Sequence, residues 1–406
     1  MKNWAGNITY STDRILAPQS LEELQEAVRE AKHVRFLGSK HSFNTLADSD
    51  DTIISLHHFT AIQEPIDGTV TMGGGVTYGQ LASFLQPRGW AVHNLASLPH
   101  ISIVGACATA THGSGRKSGN LATAVVSFKS VIADGSIRTF SGDEINAAAV
   151  HLGLLGAIFE VTLRVEPSFE VRQWVYQNMP LDQALANFDA LSSAGDSVSL
   201  FTHWSGDIIS QVWVKDRGPF AAPPELFGAK RATQKLHPLT EMDPINCTEQ
   251  LGESGPWCDR LPHFKMEFTP SAGEELQSEF FVPFAKAQDA IRALNAMGDQ
   301  ISPLVYVSEI RFIASDELYM SPAYGEDVIG IHFTWRPLWS QVQEVLPIIE
   351  DTLRPFDARP HWGKLHTMSS EDVQRAYPRL GRLVKLARDI DPNGKFVNAF
   401  LAPLCD

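Results

Sequence analysis

VYVSEIRFI at residues 305–313 and VIGIHFTW at residues 328–335 are the two runs that decide the fold class. Side chains alternate across a strand, so the first run puts Val305, Val307, Glu309, Arg311 and Ile313 on one face. Glu309 and Arg311 then lie about 6.6 Å apart along it. The second run puts Ile329, Ile331, Phe333 and Trp335 on one face and Gly330, His332 and Thr334 on the other. The apolar face must be buried, which leaves His332 and Thr334 on a working or solvated face. Around these runs the pattern predicts a strand over 169–176, a helix over 181–191 and a hairpin over 197–214 turning at Ser205-Gly206. Residues 217–262 are rich in Pro and Gly and read as loops, and helices are expected at 284–297 and near 340–353. Strands mixed with helices in this order predict an antiparallel sheet covered by helices, an α+β domain.

The N-terminal part has a different rhythm. A helix over 18–32 starts with capping-box spacing at Ser20 and Glu23 and puts Leu21, Leu24 and Val28 on one face. Short strands at 33–37, 52–56 and 69–72 follow, then Gly73-Gly74-Gly75, a helix carrying Leu81, Phe84 and Leu85, and a hairpin over 125–140. Glu166-Pro167 ends this unit, giving a first domain of 1–167. The chain has 406 residues, 44% of them hydrophobic, which makes two domains the default and three the alternative.

Lys+Arg 33 against Asp+Glu 47 leaves a net charge of −14. Such a surface repels phosphate backbones and anionic lipid, so neither nucleic acid nor a membrane is expected as a partner. The start, MKNWAGNITY, lacks the apolar core of a signal peptide, and no run approaches the ~20 apolar residues of a spanning helix. Cys107, Cys247, Cys258 and Cys405 form no CxxC pair and read as reduced thiols of a cytoplasmic protein. In an oxidising compartment Cys247 and Cys258 are the pair to consider.

Standard catalytic and nucleotide motifs are absent. No GxGxxG follows a strand into a helix, and there is no P-loop, HExxH or GxSxG. No metal is expected. The loop Gly38-Ser39-Lys40-His41-Ser42-Phe43-Asn44 and the small-residue stretch ISIVGACATATHGSG at 101–115 read either as tight turns packed between strands or as backbone N–H cradles for a pyrophosphate. His41 in that loop is either a solvated polar residue or a nucleophile for covalent attachment. Glu309 with Arg311 is either a surface ion pair or a clamp for a polar substrate. In His361-Trp362-Gly363-Lys364 a lysine sits among Pro, Trp and Gly, where partial desolvation is expected. Each feature alone is more often structural; together they describe a site for a hydroxyl-rich ligand.

Six ordered blocks carry a family resemblance: NWAGNITY near the start, FLGSKHSFN at 36–44, NLASLPHISIVGACATATHGSG at 94–115, SEIRFI at 308–313, IHFTW at 331–335 and RPHWGKLHTM at 359–368. The chain resembles the alditol (xylitol-type) oxidases of the vanillyl-alcohol-oxidase-type flavoprotein superfamily, close to the sugar-1,4-lactone oxidases. The resemblance implies an FAD-binding domain of two subdomains at 1–167, a substrate (cap) domain at 168–369 and a C-terminal segment, 370–406, returning to the FAD domain. It implies FAD held covalently through His41 by an 8α-histidyl bond. Phe36, Leu37, Gly38, Ser39, Lys40, Ser42, Ser97, Ser102, Gly105, Ala106, Cys107 and Ala108 would contact the cofactor, with His361 against the flavin ring. Ala96 matches an oxygen-gating position. Ser97, Glu309, Arg311, Thr334 and Lys364 would face the substrate, with His332 and Lys364 beside the reacting carbinol. Lys40 departs from the small residue that relatives often carry there. The implied reaction oxidises the primary C1 alcohol of alditols such as xylitol and sorbitol to the aldose, with O2 reduced to H2O2. The alternatives are a sugar-1,4-lactone oxidase, a polyol dehydrogenase using another acceptor, or a non-catalytic sugar-binding protein on a flavin fold. The oligomeric state stays open, a monomer being one option.

Overall fold

The computed structural model describes residues 1–218, 222–266, 268 and 275–405. Its N-terminal part holds two small sheets and a two-stranded pairing of Trp90–Ala91 with Glu166–Pro167. In the first, Ile15–Leu16, Thr52–Ser55 and Val34–Leu37 run parallel, and the helix Leu21–Glu30 covers them. That helix is shorter than the expected 18–32. It starts where the Ser20 side chain accepts from the Glu23 N–H, and it stops at Ala31, whose backbone is extended. Leu24, Val28, Val34 and Ile54 close the core between helix and sheet. The second sheet, Thr69–Gly73, Ala157–Arg164, Val125–Val131 and Ile137–Ser141, is antiparallel.

Beyond residue 169 one large antiparallel sheet dominates. Its central order is Glu170–Pro180, Ile208–Asp216, Ser197–Thr202, Val305–Ile313, Val328–Trp335, Leu276–Pro283 and the two-residue edge Arg359–Pro360. One face is apolar: Leu200, Ile310, Phe312, Ile331, Phe333, Phe280 and Val282 pack against the helices Ala287–Asn295 and Trp339–Leu353. The fold is α+β, as the strand and helix order predicts.

Three expectations need correction. A β-bulge between Val305 and Val307 shifts the register, so that Val305 pairs with Trp335 and Val307 with Thr334. Val305 therefore joins the apolar core beneath the helices, while Val307 packs with Phe201 and Trp213 on the other face. The helix expected at 181–191 is two short ones, Leu181–Ala186 and Phe188–Ser192, broken at Asn187, whose side chain donates back to the Gln183 carbonyl. The strand Leu276–Pro283 lies in a region to which the pattern assigned no element.

The last residues pack against the N-terminal part. Leu380, Leu383, Ala387 and Ile390 of the helix Leu380–Ile390 share a core with Val70, Leu81 and Leu152. Buried Arg35 donates to the carbonyls of Leu46 (2.9 Å), Leu152 (2.5 Å) and Phe396 (2.5 Å), tying three segments together. Cys107, Cys247 and Cys258 are free thiols, so Cys247 and Cys258 form no pair. Among the described residues no helix is long and apolar enough to cross a membrane, and no cluster of His, Cys, Asp and Glu is suited to a metal ion.

Candidate active site

The polar face of the large sheet looks onto a cavity of about 510 Å³ that extends to the 36–43 loop and the helix Ile103–Ala108. Pairing puts Gln211, Phe201, Glu309, His332 and Glu279 in one row across five strands. Neighbours in such a row are about 4.8 Å apart, so Glu309, His332 and Glu279 stand side by side over the cavity. The next row reads Trp213, Ser199, Arg311, Gly330 and Phe281.

Glu279 is 1% exposed and ends up between two cations or donors. Its Oε2 accepts from Lys364 Nζ at 2.5 Å and its Oε1 faces His112 Nε2 at 3.0 Å. Burial alone would raise its pKa; Lys364 and His112 hold it well below the ordinary carboxylate range. Burial lowers the pKa of the Lys364 ammonium, and Glu279 opposes this. The edge strand explains how Lys364 arrives: after Pro360 pairs with Phe280, His361 N–H donates to the Glu279 carbonyl and Leu365 N–H to the Gln277 carbonyl. Gly330 makes room beside the pair. A Cβ there would come within 2.9 Å of Glu279 Oε1 and 3.3 Å of His112 Cε1.

The hydrogen-bond network settles the tautomer of His332. Gln277 Nε2 donates to Glu275 at 2.6 Å, so Gln277 Oε1 is the acceptor that faces His332 Nε2 at 3.1 Å. His332 therefore carries its proton on Nε2 and its lone pair on Nδ1. Burial, and then Lys364, push its pKa well below 6.5, so the ring is neutral. His361 is held neutral by the same two causes, and its Nδ1 accepts from the Gly363 N–H.

Glu309 is likewise buried and fully engaged. Its Oε1 faces His263 Nε2 at 2.8 Å and its Oε2 accepts from Arg311. Burial opposes ionisation, but Arg311 and then His263 hold its pKa well below the usual range. Arg311 also donates to Ser97 Oγ at 2.7 Å, which joins the two parts of the chain across the cavity. Among the described residues the Arg311 Nε has no hydrogen-bond partner.

At the other side of the cavity the residues fit a dinucleotide cofactor. The backbone N–H groups of Ser39, Lys40, His41 and Ser42 donate to no protein acceptor among the described residues, nor do those of Val104 and Gly105. Lys40 has φ 63, which curls the loop into a concave nest of donors suited to phosphate oxygens. Close approach is built in: a Cβ on Gly38 would sit 2.1 Å from Ser102 Oγ. His41 stacks on Trp4, with ring centroids 4.9 Å apart and planes at 18°. Its Nδ1 donates to the Ser39 carbonyl at 2.9 Å, and burial lowers its pKa, so it is a neutral imidazole at the cavity wall. The N-terminal segment clamps this loop: Trp4 N–H donates to the Lys40 carbonyl and Asn3 Nδ2 to the Ser42 carbonyl.

All the residues singled out in the sequence line this cavity except Cys107. Cys107 points from the helix Ile103–Ala108 into the core, 3.7 Å from the Tyr78 hydroxyl. Polar residues lining the cavity that were not singled out include His112, His263, Glu275, Gln277 and Glu279, and behind Glu309 stands Lys215. LQSEFFV alternates as a strand does, with Gln277 and Glu279 on one face, and that pattern could have found two of them. Nothing local marks Lys215 or His263.

Comparison with known proteins agrees with the geometry. Residues 12–141 match the FAD binding domain family, and residues 272–404 match the D-arabinono-1,4-lactone oxidase family. Alditol oxidase from Streptomyces sp. (strain IKD472 / FERM P-14339) is 42% identical over 100% of this chain and 98% of its own. L-gulono-1,4-lactone dehydrogenase from Mycobacterium tuberculosis (strain ATCC 25618 / H37Rv) is 28% identical over 98% of this chain and 97% of its own. Among solved structures, cholesterol oxidase from B. sterolicum superposes with a TM-score of 0.82 at 15% identity, covering 100% of this chain and 96% of that one, which shows a shared fold.

Proposed function

The chain belongs to the alditol oxidase family of FAD-dependent flavoproteins, and from that premise we propose that it oxidises the C1 alcohol of xylitol-like polyols to the aldose, with O2 reduced to H2O2. The observation that carries the reading is the single row of Glu309, His332 and Glu279, with Lys364 and Arg311 attached, along one wall of the cavity. A linear polyol offers a string of hydroxyls, each both donor and acceptor. Glu309 accepts, Arg311 and Lys364 donate, and Ser97 and Thr334 do either.

When bound, FAD supplies the hydride acceptor and the route to oxygen. The chain's own residues handle the proton. Lys364, held cationic by Glu279, stabilises negative charge developing on the C1 oxygen, and His332 Nδ1 is the lone pair that takes the hydroxyl proton. Ser97, Glu309, Arg311 and Thr334 orient the remaining hydroxyls. Phe36, Leu37, Gly38, Ser39, Lys40, Ser42, Ser102, Gly105, Ala106 and Ala108 would hold the cofactor, His41 would carry it covalently, and His361 would stand beside its flavin. Cys107 supports that helix from behind. Residues 1–167 with 370–406 form the FAD-binding body and 168–369 the substrate cap. The free thiols of Cys107, Cys247 and Cys258 support a reducing, cytoplasmic setting.

Two measurements test this. Anaerobic addition of xylitol should bleach the flavin, and aerobic turnover should release H2O2 faster with xylitol or sorbitol than with aldono-1,4-lactones. Faster turnover of lactones would place the protein with the lactone oxidases instead. After acid precipitation the pellet should stay yellow, with the flavin on the tryptic peptide containing His41. Full release of flavin into the supernatant would remove the covalent assignment.

A further inference from the structure

Behind Glu309, away from the cavity, the structure buries a second lysine. Lys215 sits on the strand Ile208–Asp216, on the same face as Gln211 and Trp213, and is 1% exposed. Its Nζ meets three acceptors: the carbonyl of Leu261 at 2.6 Å, the carbonyl of Pro262 at 2.9 Å and His263 Nδ1 at 3.3 Å. In its ammonium form Lys215 has three N–H groups, so each finds one of these acceptors. Carbonyls only accept, which fixes two of the three directions and sends the third to His263.

This determines the state of His263. With Nδ1 accepting from Lys215, the imidazole carries its proton on Nε2, and Nε2 donates to Glu309 Oε1 at 2.8 Å. The other tautomer would set a ring lone pair against a carboxylate oxygen. Phe201 and Trp213 pack edge-on against the imidazole, at centroid distances of 5.7 and 5.1 Å, so the ring is held in plane as well as in tautomer. Glu309 thus receives one donor from behind through His263 and one from the side through Arg311, which leaves its remaining lone pairs for the cavity. Burying an ammonium costs several kcal/mol unless it is well compensated. A purely structural staple for the 261–263 loop could have been an apolar side chain.

We propose that Lys215 and His263 are positioning residues for substrate choice: acting in series, they fix Glu309 as a rigid acceptor for the polyol hydroxyls beyond the reacting carbon, and so make the enzyme favour long polyols over short alcohols. The inference rests on the reading of the site as a polyol site. His332, beside the reacting carbon, is one strand from Glu309, a spacing of about 4.8 Å. Glu309 consequently meets hydroxyls that xylitol has and a short alcohol lacks. The hydrogen bonds of Lys215 and His263 go to Leu261, Pro262, Glu309 and each other, not to His332 or Lys364, which flank the reacting carbon.

The test compares Lys215→Met, His263→Phe and His263→Gln with the unaltered enzyme, on xylitol and on glycerol, after flavin content and Tm are matched. The amide of Gln can still donate to Glu309; the ring of Phe cannot. A hydrogen bond to a charged group is worth roughly 1.5–3 kcal/mol, so kcat/KM for xylitol should fall about tenfold or more in Lys215→Met and His263→Phe. The fall should come through KM, with kcat and all glycerol constants within about threefold. His263→Gln should restore most of the loss. Equal losses on xylitol and glycerol, a loss confined to kcat, or no loss in either variant would overturn the proposal. If the unaltered enzyme fails to oxidise xylitol, it is the functional reading that falls, and the two failures are distinct.

Discussion

Replacing Glu279 by Gln keeps the shape of the side chain and removes its charge from the centre of the site. Its Oε2 lies 2.5 Å from Lys364 Nζ, and both groups are withdrawn from water. At an effective dielectric of about 20, opposite charges roughly 3 Å apart attract by about 5 kcal/mol. Since about 1.4 kcal/mol corresponds to one pH unit, that attraction far exceeds what is needed to change which form of Lys364 prevails near neutrality. Burial lowers the Lys364 pKa and Glu279 opposes it; in Glu279→Gln the burial stays and the opposition goes. A rate that needs the cation is present below its pKa and lost above it, so the loss should move to lower pH by more than about one unit. Anaerobic flavin reduction by saturating xylitol, followed by stopped flow from pH 5.5 to 9, reads this directly. At pH 8 the rate should fall about 10²–10³-fold, the usual effect of removing an electrostatic stabiliser, and recover as the pH drops. An unmoved profile would refute the coupling of Glu279 to Lys364. A faster reaction at neutral pH would show that the neutral amine is the base, and would exchange the roles of Lys364 and His332.

Three further outcomes follow from particular contacts. Gly330→Ala should lower Tm and slow flavin reduction together, at a cost of roughly 1–3 kcal/mol for overpacking, because its Cβ meets Glu279 Oε1 at 2.9 Å; an unchanged Tm would mean the sheet gives way freely. Ala96 lines the cavity, and Ala96→Gly should keep or speed reoxidation of the reduced flavin by O2, whereas slower reoxidation would contradict a gating role. Buried His151 and His263 have pKa values lowered by burial from 6.5 to about 3 and about 4. The unfolded chain takes up these protons first, so the stability they contribute is full above pH 6.5 and lost as the pH falls toward 4. Each contributes a slope of up to about 1.4 kcal/mol per pH unit, and urea midpoints at pH 7, 6 and 5 should decline accordingly; a flat series would refute the linkage.

The sequence by itself determined whatever depends on period and on local chemistry. Alternation in VIGIHFTW named the buried and polar faces of its strand correctly, since a strand turns its side chains over every residue. Ser20 and Glu23 marked a helix start for the same local reason, and the order of strands and helices was enough for the α+β class. The limits are equally physical. The bulge at Val305 depends on how two strands meet, so period alone placed that residue on the wrong face. Cys107 lies in a stretch of small residues, and only the direction of the short helix shows that it faces Tyr78 rather than the cavity. Lys364 was legible as a desolvated lysine from its neighbours, but its counter-charge Glu279 is 85 positions away and comes beside it by strand pairing. Lys215 and His263 are further still from any local signal: a buried lysine and a loop histidine acquire their meaning only when the folded sheet places Glu309 next to them. Charge and tautomer are set by neighbours in space, and those neighbours are chosen by tertiary structure.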